Sequence, residues 1–209
     1  MTASATGIIL RTRPLTETSL IVHWLTAEQG RLATVARGAR RPKSVFRGKL
    51  DLFYAADFSF ARSRRSELHA LREVSLRDTH AQLRHDLGWL QQASYTAMLI
   101  EQTTETETPL PGIFELFQTF LSSLPERPPQ PRNIFAFELK LLRLLGLSPD
   151  PGQTRLTPGA KTLLAALTEA AWPAIAGLKA TGPQAAELRR FLHGFLIYHL
   201  GKIPGGRMP

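Results

Sequence analysis

Apolar positions in the first 78 residues recur at the short period of extended chain. Ile8 and Leu10 alternate with Ile9 and Arg11. Residues 20–25 form a β-branched and aromatic run that ends at the Glu28-Gln29-Gly30 turn. Residues 31–37 carry Leu32, Thr34, Val35 and Ala36. Further on, Leu50, Leu52, Tyr54, Phe58 and Phe60 fall on one face and Asp51, Asp57 and Ser59 on the other, the period of a half-buried strand. Residues 67–76 read as a weaker fifth strand with Leu68, Ala70, Val74 and Leu76. Five short strands separated by turn residues predict a small closed barrel or sandwich.

The period lengthens near Asp78-Thr79. Leu83, Leu87, Leu90, Ala97 and Ile100 recur at helical spacing, and Ile113, Phe117, Phe120, Leu121 and Leu124 do so again after Pro109-Leu110-Pro111-Gly112. Residues 133–145 are apolar almost all round, the mark of a helix at the centre of a bundle, with Asn133 as its expected N-cap and Gly146 as its stop. Thr157-Pro158 opens another helix, and the last one, residues 184–200, buries Leu188, Phe191, Leu192, Phe195 and Leu196 before Gly201 ends it. The proline-rich stretch 125–131 reads as a stiff connector. The expected fold class is α+β: a five-stranded barrel or sandwich over residues 1–79, then an all-helical domain over residues 80–209.

Charge adds a direction to this outline. The chain has 26 basic and 17 acidic residues, a net of +9, and a pI near 10.6. Residues 1–80 hold 14 of the basic and 7 of the acidic residues, so most of the excess lies in the barrel. One stretch dominates. Residues 37–49 contain Arg37, Arg40, Arg41, Lys43, Arg47 and Lys49 with no acidic residue, and Gly38, Pro42 and Gly48 make it a loop. Six uncompensated cations repel one another in free solution, so the loop is expected to meet a polyanion. Arg11 and Arg13 share a strand face and extend the patch. Of the basic residues, 20 are arginine, which grips phosphate bidentately and stacks on bases; arginine excess also follows genome composition, and the two sources are not separable in one sequence. Phe46 lies inside the basic loop, where it either stacks on a base or tucks back onto the barrel.

Little else carries chemistry. There is no cysteine, which removes disulfides, thiolate nucleophiles and cysteine-ligated metals. A phosphate-binding loop is missing, because the glycine needed five residues before Gly48 is Lys43. There is no Gly-x-Ser-x-Gly elbow. His193 and His199 are six apart, on opposite sides of a helix, and His80, His85 and Asp86 meet only loosely, so neither a metal nor another cofactor is expected. Glu101, Glu105 and Glu107 read as a solvated helix end, and Asp51 and Asp57 as solubilising groups. No apolar run approaches the length of a membrane span, and the first six residues lack signal-peptide order. A cytoplasmic protein with no membrane partner is expected.

The residues also show a likeness. Residues 7–22 (GIILRTRPLTETSLIV), residues 30–44 (GRLATVARGARRPKS) and Phe46-Arg47-Gly48-Lys49-Leu50 resemble the opening of the bacterial RecO family of DNA repair proteins. Leu71-Arg72-Glu73-Val74 resembles its fifth strand, residues 137–146 its central helix, and Tyr198-His199-Leu200-Gly201-Lys202 its last one. The resemblance implies an N-terminal OB-fold and a C-terminal helical domain. It implies binding to single- and double-stranded DNA, annealing of complementary strands, contact with the C-terminal tail of single-stranded DNA-binding protein, and help with RecR in loading RecA. It also implies association with the nucleoid. Where many members carry a four-cysteine zinc site, residues 147–156 are short and cysteine-free, so no zinc is inferred. Where some carry two arginines before the Phe-Glu-Leu of the central helix, this chain has Phe135-Ala136, with Arg132 nearby. The family's basic ending is shortened to Lys202-Ile203-Pro204-Gly205-Gly206-Arg207.

The expected function is a non-enzymatic mediator of DNA repair and recombination. Its DNA-binding residues are Arg11, Arg13, Arg37, Arg40, Arg41, Lys43, Phe46, Arg47 and Lys49. An acidic tail peptide needs an apolar groove with a basic rim, for which Arg132, Lys140 and Arg143 on the edge of the central helix are the candidates; the alternative is that Lys140 and Arg143 only solvate that helix. The competing reading of the whole chain is an OB-fold RNA-binding or translation-associated protein, which would gain affinity from the 2′-hydroxyl.

Overall fold

The computed structural model describes residues 2–207. Five strands, β1 (Thr2–Pro14), β2 (Leu20–Thr26), β3 (Gly30–Ala36), β4 (Ala55–Ala61) and β5 (Leu68–Asp78), close into a barrel in the order β1-β2-β3-β5-β4. All pairs are antiparallel except β3–β5. This is the expected five-stranded OB-type barrel. Its long first strand serves two partners: residues 2–8 pair with β4 and residues 7–14 with β2.

Ile8, Ile9 and Leu10 are all buried, although a strand alternates its faces. Both faces are covered. Ile9 points into the barrel with Val22, Trp24, Leu32, Phe58 and Phe60. Ile8 and Leu10 point outwards, where with Leu25, Phe53 and Ala55 they join the core of the helices. The pairing of β1 with β2 shifts register between Ile9 and Arg11. Inside, Trp24 stacks on Phe58 with centroids 4.1 Å apart and donates its indole N–H to Thr34 Oγ1 at 2.9 Å.

The fourth strand is shorter than its alternation predicts. Residues 50–54 are irregular because Phe53 takes a left-handed φ of 67°, which ends the two-residue period. The Phe53 ring is buried edge-on to Phe117, and its carbonyl accepts from His80 Nδ1 at 2.8 Å.

A 3₁₀ turn (Ala81–His85) leads into six helices: α1 (Leu87–Thr103), α2 (Pro111–Ser123), α3 (Pro131–Leu144), α4 (Pro158–Glu169), α5 (Trp172–Ile175) and α6 (Gly182–Leu200). The central helix is α3, buried from Asn133 to Leu142 and packed against every other helix. Its N-cap position is Gln130, with Pro131 in the first turn, and not Asn133. Asn133 is buried inside the helix, donating to Gln92 Oε1 at 3.1 Å and to the Pro128 carbonyl at 3.0 Å. Gly146 does end α3, at φ 73°. Thr157 caps α4, and a capping box from Thr181 and Gln184 opens α6. Leu87, read from its spacing as core, is exposed at the first turn of α1, and the four-residue α5 has too few residues to show a period.

Polar contacts along the seam add to the packing of the barrel on the helices. Arg31 on β3 donates its Nε to Thr104 Oγ1 at 2.8 Å and a second N–H to the Thr104 carbonyl, while Glu107 N–H donates to the Arg31 carbonyl at 2.9 Å. Gly30, at φ 66°, lets the 104–108 segment come this close; a Cβ there would lie 1.9 Å from the Thr108 carbonyl oxygen.

Candidate nucleic-acid interface

The basic stretch 37–49 is a chain of tight turns and not a slack loop. Arg41 N–H donates to the Gly38 carbonyl at 3.0 Å, Ser44 N–H to Arg41 at 3.0 Å, Arg47 N–H to Ser44 at 3.2 Å and Lys49 N–H to Phe46 at 3.0 Å. Gly38 and Gly48 supply the left-handed φ of 67° and 72° that such turns need. Arg40 N–H donates to the Thr18 carbonyl at 2.9 Å, tying the segment to the β1–β2 turn. Phe46 anchors it from below. The ring is only 6% exposed and packs into the barrel core, so of its two readings the structure takes the second, and stacking on a base is corrected. The exposed apolar residue of the loop is its neighbour Val45, at 72%.

The cations on this frame point outwards. Arg37, Arg40, Arg41, Lys43 and Arg47 are exposed. Arg40 and Arg47 reach only the Thr16 and Pro42 carbonyls, at 3.5 and 3.4 Å, and Lys49 donates to the Val74 carbonyl at 3.1 Å. Among the described residues no carboxylate lies within ion-pair distance of any of the six, nor of Arg13. Several other arginines of the barrel and its border are paired: Arg62 with Glu107, Arg77 with Asp57 and Arg84 with Asp51. The loop therefore carries six cations without an ion-pair partner among the described residues.

Arg11 sits apart from it. Its guanidinium meets Glu101 of α1 at 3.1 Å, and His23 Nδ1 lies 3.9 Å from the same carboxylate. Burial first, and then the charges of Arg11, Arg13 and Arg31, push the His23 imidazole down to about 4. Glu101 is thus a nearly buried counter-ion at the seam, which corrects its reading as a solvated helix end. Glu107 is likewise engaged, 2.6 Å from His69 Nε2.

The rim drawn on the central helix is also corrected. Lys140 is 9% exposed, donates to the Thr168 carbonyl at 2.9 Å and lies over the Trp172 ring. Burial holds its ammonium below the ordinary lysine value. Arg132 donates to Gln130 Oε1 at 2.6 Å and to the Leu178 carbonyl at 2.8 Å, and Arg143 grips Glu169 at 2.8 Å. These three side chains stitch α3 to α4, to α5 and to the turn at Leu178; they do not line an open groove.

Three exposed cations of the barrel were missed: Arg64, Arg65 and Arg72, each without a carboxylate partner among the described residues. The Arg62-Ser63-Arg64-Arg65 cluster between two strands was the signal for the first two. Arg72 stands on β5 across a cleft from Lys49 and Val45, a proximity no local pattern reveals. Among the described residues no three His, Asp or Glu side chains gather as a metal site, and no helix is long and apolar enough to cross a membrane.

Comparison with known proteins gives the same two parts. Residues 1–80 match the family model described as Recombination protein O N terminal, and residues 84–151 the one described as Recombination protein O C terminal. The chain is 31% identical to a protein named DNA repair protein RecO from Anaeromyxobacter dehalogenans (strain 2CP-1 / ATCC BAA-258), over 96% of this chain and 92% of the relative. Identity to the proteins of that name from Exiguobacterium sibiricum and Bacillus subtilis (strain 168) is 32%, over 71% and 72% of this chain and 59% and 58% of theirs.

Proposed function

The chain belongs to the RecO family of DNA repair proteins, and from that membership we propose that it is a non-enzymatic mediator whose barrel binds DNA through the 37–49 loop. The observation that carries this reading is the hydrogen-bonded loop with five exposed cations and no carboxylate within ion-pair distance of them among the described residues. A prearranged set of cations meets a phosphate backbone at low ordering cost, and releases condensed counter-ions when it does so. Such contacts position a strand without reading its bases, so binding is sequence-independent. Arg13, Arg64, Arg65 and Arg72 widen the electrostatic footprint; Arg11 adds charge only so far as Glu101 leaves it free. Annealing of complementary strands, assistance to RecA loading together with RecR, contact with the tail of single-stranded DNA-binding protein, and a cytoplasmic, nucleoid-associated location follow from the family resemblance. With Lys140 buried, a tail contact has to use surface other than that edge of α3.

The test is a salt titration of affinity for a labelled single-stranded oligomer. Each neutralised phosphate contributes about 0.7 to the slope of log affinity against log salt. Replacing Arg40, Arg41 and Lys43 together by alanine should flatten that slope by about 2 and leave the melting temperature within a few degrees. An unchanged slope in the folded variant would move the DNA site off this loop.

A further inference from the structure

Beside the loop lies an open cleft of about 420 Å³, walled by Arg40, Arg41 and Arg47 and completed by Leu50, Asp51 and Tyr54. That volume is in the range of sites that hold small molecules. The carboxylate in its wall is already spoken for, since Arg84 Nη2 holds Asp51 at 2.8 Å. Arg84 is itself fixed by the Thr79 and Leu52 carbonyls, both at 3.2 Å. Its guanidinium lies 5.1 Å from the centroid of the Tyr54 ring, yet Arg84 does not line the cleft. The arginine therefore backs the ring from outside while the ring borders the cleft. Half-buried and backed in this way, Tyr54 is held in place, and its hydroxyl makes no hydrogen bond among the described residues.

A fixed aromatic ring beside three cations without counter-ions is the pairing that holds a base by stacking and the flanking phosphates by charge. In a duplex every base face is covered by its neighbours, so a ring in a cleft finds a partner only on an unpaired base. Resting on the DNA-binding reading above, we infer that Tyr54 is the stacking platform of this interface and that the cleft takes one unpaired nucleotide of a single strand. Phe46 also borders the cleft, but at 6% exposure and packed into the barrel core it offers no open ring face. The six cations then bind any polyanion, and Tyr54 makes single strands preferred over duplex.

The experiment compares two oligomers of equal length, one carrying bases and one abasic at every position, and a duplex, by fluorescence anisotropy with the full chain. The phosphates of the two oligomers are the same, so their difference reads stacking alone. Wild type should bind the base-bearing strand about tenfold more tightly than the abasic one. Tyr54→Leu should lose that preference while keeping wild-type affinity for abasic strand and duplex and an unchanged salt slope; Tyr54→Phe should behave as wild type. If Tyr54→Leu does not fold, the Tyr54→Trp variant decides, because its added emission must be quenched by the base-bearing oligomer and not by the abasic one. Equal affinity of wild type for both strands, a preference that survives in Tyr54→Leu, or an unquenched tryptophan would overturn the inference and leave the loop as the DNA site. Failure of wild type to bind any of the three would instead overturn the DNA-binding reading itself.

Discussion

Removing the guanidinium of Arg207 should destabilise the helices far more than a residue so near the end of a chain normally would. Glu138, on the central helix, is 0% exposed. Its two oxygens accept from Arg207 Nε at 2.7 Å and Nη2 at 2.8 Å, and Tyr95 donates its hydroxyl to Oε1 at 2.6 Å. Burial, and then the charge of Glu138, push the Tyr95 hydroxyl well above its ordinary value, so it remains a donor at any working pH. Arg207→Ala leaves a buried carboxylate with one donor where it had three. Breaking a buried pair from one side costs about 3–5 kcal/mol. The tail that carries Arg207 would swing away and admit water, which places the expected loss at the lower end, about 3 kcal/mol. With a urea slope of about 2 kcal/mol per molar, the unfolding midpoint should fall by about 1.5 M. The assay is urea unfolding followed by tryptophan fluorescence, since Trp89 and Trp172 both report on the helical part. Glu138→Gln in the same background should recover part of the loss, giving a coupling of about 2 kcal/mol in a double-mutant cycle. An Arg207→Ala midpoint within about 0.25 M of wild type, equivalent to about 0.5 kcal/mol, would refute the claim that this pair holds the tail to the core.

Three further outcomes are expected. His23 is held near 4 in the fold and sits near 6.5 when unfolded, so the unfolded chain takes up a proton as pH falls through that window and stability is lost between those values. The full shift corresponds to about 3 kcal/mol, reduced by screening at a partly solvated ring to about 1–2 kcal/mol; His23→Gln should remove that part of the pH slope, measured by urea melts at pH 7 and pH 4.5. Phe46→Ala should cost about 3–4 kcal/mol through the cavity it leaves in the barrel, and weaken DNA binding by loosening the loop, whereas Phe46→Leu should keep most of both, as a thermal melt and an anisotropy titration would show. Lys140→Glu should cost more than 3 kcal/mol by burying a carboxylate against the Thr168 carbonyl, while Arg143→Glu should cost about 1 kcal/mol or less; equal and small losses in calorimetry would mean that Lys140 is not enclosed.

Elements whose hydrophobic period is local were legible before any coordinates. The five strands, α2, α3 and the Thr157 and Gly146 boundaries are all of this kind. What failed depends on partners far along the chain. Phe53 breaks the alternation of its strand because a left-handed turn drops its ring between barrel and helices, and no neighbour in sequence announces that. Glu101 looks like any acidic residue near a helix end, and only the arrival of β1 and β2 makes it the counter-ion of Arg11. Asn133 has the residue type of a cap and the location of a core hydrogen-bonding group, and Gln92, 41 residues away, decides between them. In the candidate site the cationic loop was visible as composition, but which of its two readings Phe46 takes was not. Phe46 has Arg47 beside it in the sequence and is buried, whereas half-buried Tyr54 meets a cation, Arg84, only in the fold.

The same contrast resolves what arginine does in this chain. Twenty arginines against six lysines fit either a phosphate-binding surface or a bias in composition. In the fold the arginines divide by partner. Arg31, Arg127, Arg132 and Arg207 each use the planar fork to reach two acceptors at once across a seam between elements, a geometry that a lysine ammonium does not reproduce. Arg37, Arg41, Arg64, Arg65 and Arg72 have no such acceptor among the described residues and lie exposed on the barrel. Carboxylates pair with Arg11, Arg62, Arg77, Arg84, Arg143 and Arg207, and among the described residues none pairs with a cation of the loop. Uncompensated charge on a hydrogen-bonded, core-anchored frame costs the free protein self-repulsion, which a polyanion bound as proposed would relieve.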